Sequence, residues 1–176
     1  LFGRHPEVAF LDSAATAQRP AAVLDAQREF YETMNANPLR GLYSLSVEAT
    51  DAIAKVRLQI ADLIGADQAN EVVFTRNTSE SLNLVAKSFA PTVLQPGDEV
   101  VITIMEHHSN LIPWQQACRA AGAKLVYLYP DENGVITPEE MDAKIGPKTK
   151  IVSVVHVSNV LGVQNPVEEL GRRVHA

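Results

Sequence analysis

The sequence predicts an α/β fold in which a mainly parallel sheet is flanked by helices. Short apolar runs rich in β-branched residues alternate along the chain with amphipathic helical patterns, which is typical of buried parallel strands joined by right-handed helical crossovers. The strand candidates share this composition: Val8–Asp12, Glu71–Phe74, Glu99–Ile104, Lys124–Leu128 and Ile151–Val155.

Local signals mark the boundaries of the predicted helices. Gly65 follows an apolar stripe and is a candidate C-cap. Thr137 precedes Pro138 as a candidate N-cap, after turn residues at 131–134. The two longer stripes have members at helical spacing: Ile53, Val56, Ile60, Leu63 and Ile64 in the first, and Leu82, Val85, Ala86 and Phe89 in the second.

Composition and charge exclude several classes of protein. The chain has 176 residues, 46% of them hydrophobic, which predicts a globular domain with a sizeable core. Its net charge of −6 gives no basic footprint for nucleic acid, and no apolar run approaches the ~20 residues that span a bilayer. Cys118 is the one cysteine, which excludes an internal disulfide and favours a reducing compartment. We therefore expect a cytoplasmic protein that binds neither nucleic acid nor membranes.

The two ends of the sequence predict a truncated fold. The first apolar run begins almost at once, and a helical pattern over residues 167–176 stops without the glycine and turn that usually close a helix. We expect a piece of a longer chain that is cut before the final strands of the sheet. A natural half-length protein is the alternative.

Polar residues after the predicted strands are the candidates for a functional site, because ligands of such sheets bind beyond the carboxyl ends of the strands. Asn77 and Glu80 follow one strand with the spacing of a capping box. The free amide groups of the helix that they open favour an anion. Thr78 and Ser79 add hydroxyl donors, so a phosphate could be held without a P-loop lysine. An ordinary capped helix is the alternative.

Two adjacent histidines, His107 and His108, follow the strand at Glu99–Ile104. An imidazole at a strand end can stack on a planar heteroaromatic ring or relay a proton, and an ordinary loop histidine is the alternative. A zinc site is disfavoured, because neighbouring residues on a turn point apart and no His-x₃-His or Cys-x₂-Cys pair is present. We predict no metal.

Asn159 follows the strand at Ile151–Val155, where its amide could donate to a phenolate oxygen or a substrate carboxylate. A buried asparagine that only ties down the turn is the alternative. Small residues at 12–16 could let a substrate approach the backbone, or could simply pack tightly. A phosphate cradle, an imidazole and an amide donor at one sheet edge suit pyridoxal phosphate better than a dinucleotide, since no G-x-G-x-x-G follows any strand.

At these residues the sequence resembles the class V aminotransferase family, and specifically the Suf-type cysteine desulfurases. The resemblance runs along essentially the whole chain, and its most specific strings are Glu106–Asn110 and His156–Gly162. It implies the large domain of a fold-type I pyridoxal-phosphate transferase. Residues 1–50 would be an N-terminal segment contributing to the substrate pocket and the dimer contact, and residues 51–176 the first part of the cofactor-binding large domain.

The resemblance also implies a role for each matching residue. His107 would be the catalytic residue that stacks on the pyridine ring and shuttles protons. Thr78 and Ser79 would bind the phosphate, and Asn159 would contact both the phenolic oxygen of the cofactor and the substrate. The remaining substrate-binding candidates lie in the N-terminal segment: Ala14, Ala15 and, near the subunit interface of a homodimer, Arg40.

The activity implied is removal of sulfur from L-cysteine, giving alanine and an enzyme persulfide for iron–sulfur cluster assembly, with a Suf-type sulfur-acceptor protein as partner. The family's cofactor-binding lysine and nucleophilic cysteine would lie beyond residue 176. Cys118 falls in a helical pattern and is predicted to be a packing residue. The alternatives are a selenocysteine lyase, a kynureninase-like hydrolase, an aminotransferase, or a non-catalytic half-length homologue acting as a binding partner.

Three positions depart from the family pattern. Asn77 stands where relatives often carry glycine, a mild change because asparagine tolerates a left-handed backbone. Leu39 and Tyr43 stand where many relatives have histidines beside the Arg40-Gly41 pair. These two changes leave the subfamily open.

Overall fold

The computed structural model describes residues 3–175, and the chain divides into two compact units, Leu1–Phe74 and Thr75–Ala176. The functional division expected at residue 50 stays a prediction. The helices and strands follow in this order: α1 Ala21–Thr33, α2 Ser44–Ile64, α3 Thr78–Ser88, α4 Ala90–Val93, β1 Glu99–Thr103, α5 Ile112–Ala121, β2 Lys124–Leu128, α6 Pro138–Lys144, β3 Thr149–Ser153 and α7 Val167–Val174. Short 3₁₀ turns lie at Ala69–Glu71 and His108–Asn110.

The second unit contains a three-stranded parallel sheet in the order β2-β1-β3. Val101 of the central strand pairs with Val126 on one side and Val152 on the other. The helices α5 and α6 connect consecutive strands, as a parallel sheet requires. The parallel α/β sheet predicted from the alternating patterns is therefore confirmed for these three strands.

Both faces of β1 are covered, because successive side chains of a strand point to opposite faces. Val100 and Ile102 pack on one face with Trp114 and Cys118 of α5 and with apolar residues of α3 and α4. Val101 packs on the other face in a separate cluster with Leu128 of β2, Ile136 just before α6, Met141 of α6 and Leu170 of α7. Burial on both faces explains why β1 has no polar alternation.

Two predicted strands are not strands. Residues 8–12 have no regular secondary structure and lie between two turns, the first of which is closed by the Val8 N–H donating to the His5 carbonyl at 3.1 Å. Glu71 closes a 3₁₀ turn, and the chain at 72–74 has no strand partner among the described residues. The Val72 carbonyl accepts a hydrogen bond from the Arg57 guanidinium at 2.6 Å, so a side chain occupies the group that a neighbouring strand would use.

The local caps agree with the sequence. Gly65 ends α2 in the left-handed conformation with φ +70°, and Thr137 Oγ1 accepts the Glu140 N–H at 3.3 Å to open α6. The pattern at 167–176 becomes the shorter helix α7, and Ala176 lies outside the described residues. No helix among residues 3–175 combines the length and the apolar composition that crossing a membrane requires.

Candidate active site

The carboxyl ends of β1 and β3 lie side by side, because the two strands are parallel and paired. Ile102 is in register with Ser153, so the chain leaves both strands at the same edge of the sheet. The loop that carries His107 begins at one of these ends, and the segment that carries Asn159 begins at the other. The sheet therefore brings the starts of the His107 loop and of the Asn159 segment to the same edge, as the sequence predicts for a parallel sheet.

Glu106 joins the two strand ends with its carboxylate. Oε1 accepts hydrogen bonds from the Thr103 hydroxyl at 2.6 Å and from the Val155 N–H at 2.8 Å. Thr103 is the last residue of β1, and Val155 follows β3. Oε2 accepts the Asn110 side-chain amide at 2.7 Å. The loop after β1 is thereby fixed to the segment after β3.

The orientation of the Asn110 side chain follows from its partners. Trp114 Nε1, which can only donate, points at Asn110 Oδ1 at 2.8 Å, and the Ser153 hydroxyl donates to the same oxygen at 2.7 Å. Asn110 Nδ2 therefore faces Glu106 Oε2 and the Ser153 carbonyl. This polar network is closed by a buried tryptophan and holds the 3₁₀ turn at His108–Asn110 against the sheet.

His107 is exposed and is held by its own loop. Its Nδ1 accepts the Ser109 backbone N–H at 3.1 Å and lies 2.9 Å from the Ser109 hydroxyl. A backbone N–H is always a donor, so this bond assigns the proton of the neutral ring to Nε2. The His108 ring lies edge-on, with the two centroids 6.2 Å apart. Among residues 3–175 no group of three or more His, Cys, Asp or Glu side chains could hold a metal ion.

Asn159 lies on a tight turn that Ser158 closes. An isolated antiparallel bridge joins Val157 to Gln164 at the base of this turn. The buried Ser158 hydroxyl accepts the Leu161 N–H at 3.1 Å, and its carbonyl accepts the Gly162 N–H at 2.9 Å. Asn159 is exposed, and its side chain has no partner among the described residues. The buried asparagine considered as the alternative is therefore wrong, and the amide is open to a ligand.

The sequence reasoning missed two buried asparagines near the same edge. Asn110 is 7% exposed and Asn165 is 1% exposed. Asn165 Nδ2 donates to the Val155 carbonyl at 2.7 Å, while its Oδ1 has no partner within the described part of the chain. A signal was present for Asn165, since an Asn-Pro pair directly before a helix marks a turn. For Asn110 the only such signal in the sequence is its position in the Glu106–Asn110 string that carries the family resemblance.

The N-terminus of α3 carries the cap that the sequence predicts. Asn77 Oδ1 accepts the Glu80 N–H at 3.0 Å. The Glu80 carboxylate reaches back one residue further than in a capping box, since it accepts the Arg76 N–H at 2.6 Å. This bond and the Arg76 guanidinium hold the pKa of the Glu80 carboxyl below its ordinary value. The carboxylate is thus engaged away from the free donors of the helix.

Thr78 and Ser79 occupy the first turn of α3 and are exposed. Neither hydroxyl has a partner among the described residues, and the first N–H groups of any helix lack intrahelical acceptors. Hydroxyl and backbone donors at the positive end of a helix dipole are the donor set that binds a phosphate. The α3 helix also packs against the 3₁₀ turn that follows His107. The residues present therefore fit a phosphorylated ligand beside the imidazole.

Arg40 belongs to the first unit and lies in an exposed loop that Ser46 organises. The Ser46 hydroxyl donates to the Asn37 carbonyl at 2.7 Å and accepts the Gly41 N–H at 3.0 Å. An added Cβ at Gly41 would lie 2.6 Å from the Ser46 Cβ, so only glycine fits there. Leu39, on the other side of Arg40, has φ +70°, a backbone conformation that is uncommon for leucine.

Ala14 and Ala15 lie in a turn of the first unit. The Asp12 carbonyl accepts the Ala15 N–H at 3.2 Å and the Thr16 N–H at 3.1 Å, which curls the backbone here. Both alanines are exposed. Their expected role in a substrate pocket stays a prediction.

Cys118 is buried in the apolar cluster on one face of the sheet, with 3% of its surface exposed. Burial raises the pKa of its thiol above the ordinary value, and a hydrogen bond with the Val100 backbone offsets part of this effect. A protonated, inaccessible thiol is a poor nucleophile. The prediction that Cys118 is a packing residue is confirmed.

A parallel α/β sheet with an imidazole and an amide after two neighbouring strands, together with a helix whose first turn has open donors, is typical of the class of protein that seats a phosphorylated planar cofactor. Residues 9–176 match the aminotransferase class-V family, and the chain belongs to that family. Members of this family use pyridoxal phosphate, which the donor set at α3 fits. The α/β fold class predicted from the sequence is thereby confirmed.

The chain is similar to individual proteins that are described as cysteine desulfurases. A probable cysteine desulfurase of Halalkalibacterium halodurans is 48% identical over 166 residues, which are 94% of this chain and 41% of the relative. The apo structure of a cysteine desulfurase from Thermococcus onnurineus NA1 superposes with a TM-score of 0.90 at 42% identity, over 97% of this chain and 42% of that one. A structure described as SspA in complex with cysteine has a TM-score of 0.84 at 29% identity, over 96% and 48%. The chain thus spans less than half the length of each of these proteins.

Proposed function

We propose that the protein carrying this chain is a pyridoxal-phosphate-dependent cysteine desulfurase, and that these residues supply part of its cofactor and substrate seat. The observation that carries the proposal is the joining of the His107 loop to the Asn159 segment through Glu106. The open donors in the first turn of α3, a helix that packs against the turn after His107, support it. The likeness to proteins described as cysteine desulfurases supports the choice of reaction.

Each candidate residue has a distinct part in this proposal. When bound, pyridoxal phosphate acts as an electron sink that stabilises negative charge on the substrate. Thr78 and Ser79 hold the phosphate with their hydroxyls and with the backbone donors of α3. His107 lies against the ring and moves a proton at Nε2, because its Nδ1 is engaged by Ser109. Asn159 donates its amide to the phenolic oxygen and to the substrate carboxylate.

The proposed reaction converts L-cysteine and a protein thiol into L-alanine and a protein persulfide. The carbon–sulfur bond of cysteine breaks, the sulfur joins the thiol, and the carbon takes up a proton. Cys118 is not the accepting thiol, because it is buried and protonated. The accepting cysteine therefore lies outside these residues, where the resemblance also implies the cofactor-binding lysine.

The finer parts of the proposal concern the biological setting. We propose a cytoplasmic homodimer of the Suf type that passes its sulfur to an acceptor protein for iron–sulfur cluster assembly. Arg40, on the loop ordered by Ser46, reaches the active site near the subunit interface, and Ala14 and Ala15 line the substrate pocket. A loop that is held by internal hydrogen bonds supports the assignment of Arg40, whose guanidinium has no partner among the residues that the structure describes.

Product analysis tests the reaction. The protein produced from its native gene and loaded with pyridoxal phosphate should release one alanine per L-cysteine and leave a persulfide that thiol reagents detect by mass. Release of a keto acid instead would identify an aminotransferase, and turnover of selenocysteine alone would identify a lyase for that substrate. Failure to bind the cofactor at all would favour a non-catalytic binding protein.

A further inference from the structure

We propose that Glu106 is a positioning residue that sets the distance between the imidazole of His107 and the amide of Asn159. This inference rests on the proposed function, because it gives the two side chains a common ligand. Glu106 directly precedes His107 in the chain, and the Val155 N–H that it binds belongs to the segment leading to Asn159. Its carboxylate is therefore a direct polar connection between the two candidate loops, next to the bonds that Asn110 makes with Ser153.

The three bonds of Glu106 come from three different parts of the second unit. Thr103 is the last residue of β1, Val155 follows β3, and Asn110 lies in the 3₁₀ turn after His107. The donor–acceptor distances are 2.6, 2.8 and 2.7 Å respectively. Hydrogen bonds to an ionised acceptor are stronger than neutral ones. Glu106 is half-buried, so these bonds are partly protected from competing water.

All three partners are donors, which makes the site specific for a carboxylate. A glutamine at 106 could keep its oxygen on Thr103 and Val155, but its amide group would then face Asn110 Nδ2. That nitrogen cannot turn away, because Trp114 and the Ser153 hydroxyl both donate to Asn110 Oδ1. Two donors would therefore oppose each other in the middle of the network, a contact that costs the lost bond and leaves polar groups unsatisfied.

The first test is hydrogen exchange in the cofactor-free protein. In Glu106→Gln the Val155 amide should exchange about tenfold faster than in the wild type, because the charge-assisted bond is weakened. Glu140→Gln is the matched control: Glu140 is also half-buried, and it accepts a backbone N–H, that of Tyr129 after β2, at 3.0 Å. Unchanged exchange at Val155 in Glu106→Gln would overturn the proposal.

The second test uses the cofactor-loaded protein. Glu106→Gln should lower kcat about tenfold or more and change the visible circular dichroism of the bound cofactor, with cofactor stoichiometry and the melting temperature near those of Glu140→Gln. The double variant Glu106→Gln/Asn110→Asp should recover only part of the lost kcat, since the Gln amide can then donate to the Asp carboxylate, while that carboxylate loses the bond to the Ser153 carbonyl. Equal kcat and equal dichroism in Glu106→Gln and the control would contradict a positioning role.

Two further outcomes also test the proposal: a Glu106→Gln variant that does not fold, and a wild-type protein that makes no alanine. If Glu106→Gln does not fold, Glu106→Asp is measured instead. That variant keeps a side chain that can only accept hydrogen bonds, but the side chain is shorter. It should show the same loss of kcat and the same change in dichroism. Values of kcat and dichroism equal to those of the wild type would reject the proposal. If the wild-type protein makes no alanine, the proposed reaction is wrong, while the exchange and dichroism measurements still decide whether Glu106 positions the two loops.

Discussion

At the scale of single residues, the site combines side chains that are free with side chains that are fixed. Thr78, Ser79 and Asn159 are exposed and have no partner among the described residues, whereas Glu106 and Asn110 are bonded on every side. A ligand can use only the first kind directly. The second kind keeps the first in place, which is how preorganised sites are generally built.

Substitution of the phosphate-binding and imidazole candidates should cause two different defects, one in cofactor binding and one in turnover. The variant Thr78→Ala/Ser79→Ala should weaken pyridoxal phosphate binding about tenfold or more with little change in kcat at saturation, because it removes donors to the phosphate. His107→Ala should leave occupancy nearly intact and lower kcat about 10²-fold or more, because it removes a proton-transfer group. Absorbance titration of the cofactor and steady-state kinetics measure the two effects.

Ser88→Ala is the matched control for the phosphate seat. Ser88 carries a hydroxyl at the opposite end of the same helix, where it donates to the Leu84 carbonyl at 2.5 Å. Its replacement should change neither binding nor turnover. If the Thr78/Ser79 variant and the control have the same affinity for pyridoxal phosphate, α3 holds no phosphate and serves only as a capped helix.

At the scale of elements, the turn between β2 and α6 packs against the segment that carries Asn159. Gly134 has φ +82°, and a Cβ added there would lie 2.9 Å from Cγ2 of Val163, which is on that segment. The preceding Asp131 carboxylate closes the turn by accepting the Val135 N–H at 2.8 Å. The turn between β2 and α6 therefore needs glycine for two reasons, its backbone conformation and its close packing.

Gly134→Ala should lower the free energy of unfolding by about 1–3 kcal/mol, because the new methyl group is strained and displaces Val163. Gly146→Ala is the control, since Gly146 lies outside the left-handed region and has open space where a Cβ would be added. Its effect should stay within about 0.5 kcal/mol. Urea denaturation of the intact protein compares the two, and equal losses would show that the contact with Val163 carries no weight.

At the scale of the whole molecule, much apolar surface is exposed. The stripe on α2 that the sequence assigns to a core is largely open, with Val56, Leu63 and Ile64 exposed by 47%, 78% and 64%. In the second unit β2 and β3 each have one edge without a partner strand among the described residues. Apolar faces and open strand edges both favour association with further protein.

The isolated 176-residue chain should therefore self-associate. Light scattering during size-exclusion chromatography should give a mass that rises with concentration, and a dye that binds apolar surface should fluoresce strongly with it. The control is Leu63→Lys/Ile64→Lys, which places charge on the open α2 face and should reduce the mass at a given concentration. A monodisperse monomer with one cooperative melting transition would contradict this expectation.

Much of the fold could be predicted because its signals are local. The strands at 99–103 and 124–128, the cap at Gly65 and the cap at Thr137 each follow from residues within one or two turns of each other. The predicted strand at 71–74 was wrong because strand formation needs a partner. There the Arg57 guanidinium occupies the backbone carbonyl of Val72, which no local pattern reveals.

The sequence by itself determined the parallel α/β fold class, the cap that opens the helix at Thr78 and Ser79, and the presence of an imidazole and an amide after two strands. The tertiary structure decided how these groups are held. Glu106 and Val155 are 49 positions apart, and Asn110 and Ser153 are 43 positions apart. Such contacts depend on which strands become neighbours in the sheet, and therefore only the folded chain could show that one carboxylate joins the two loops.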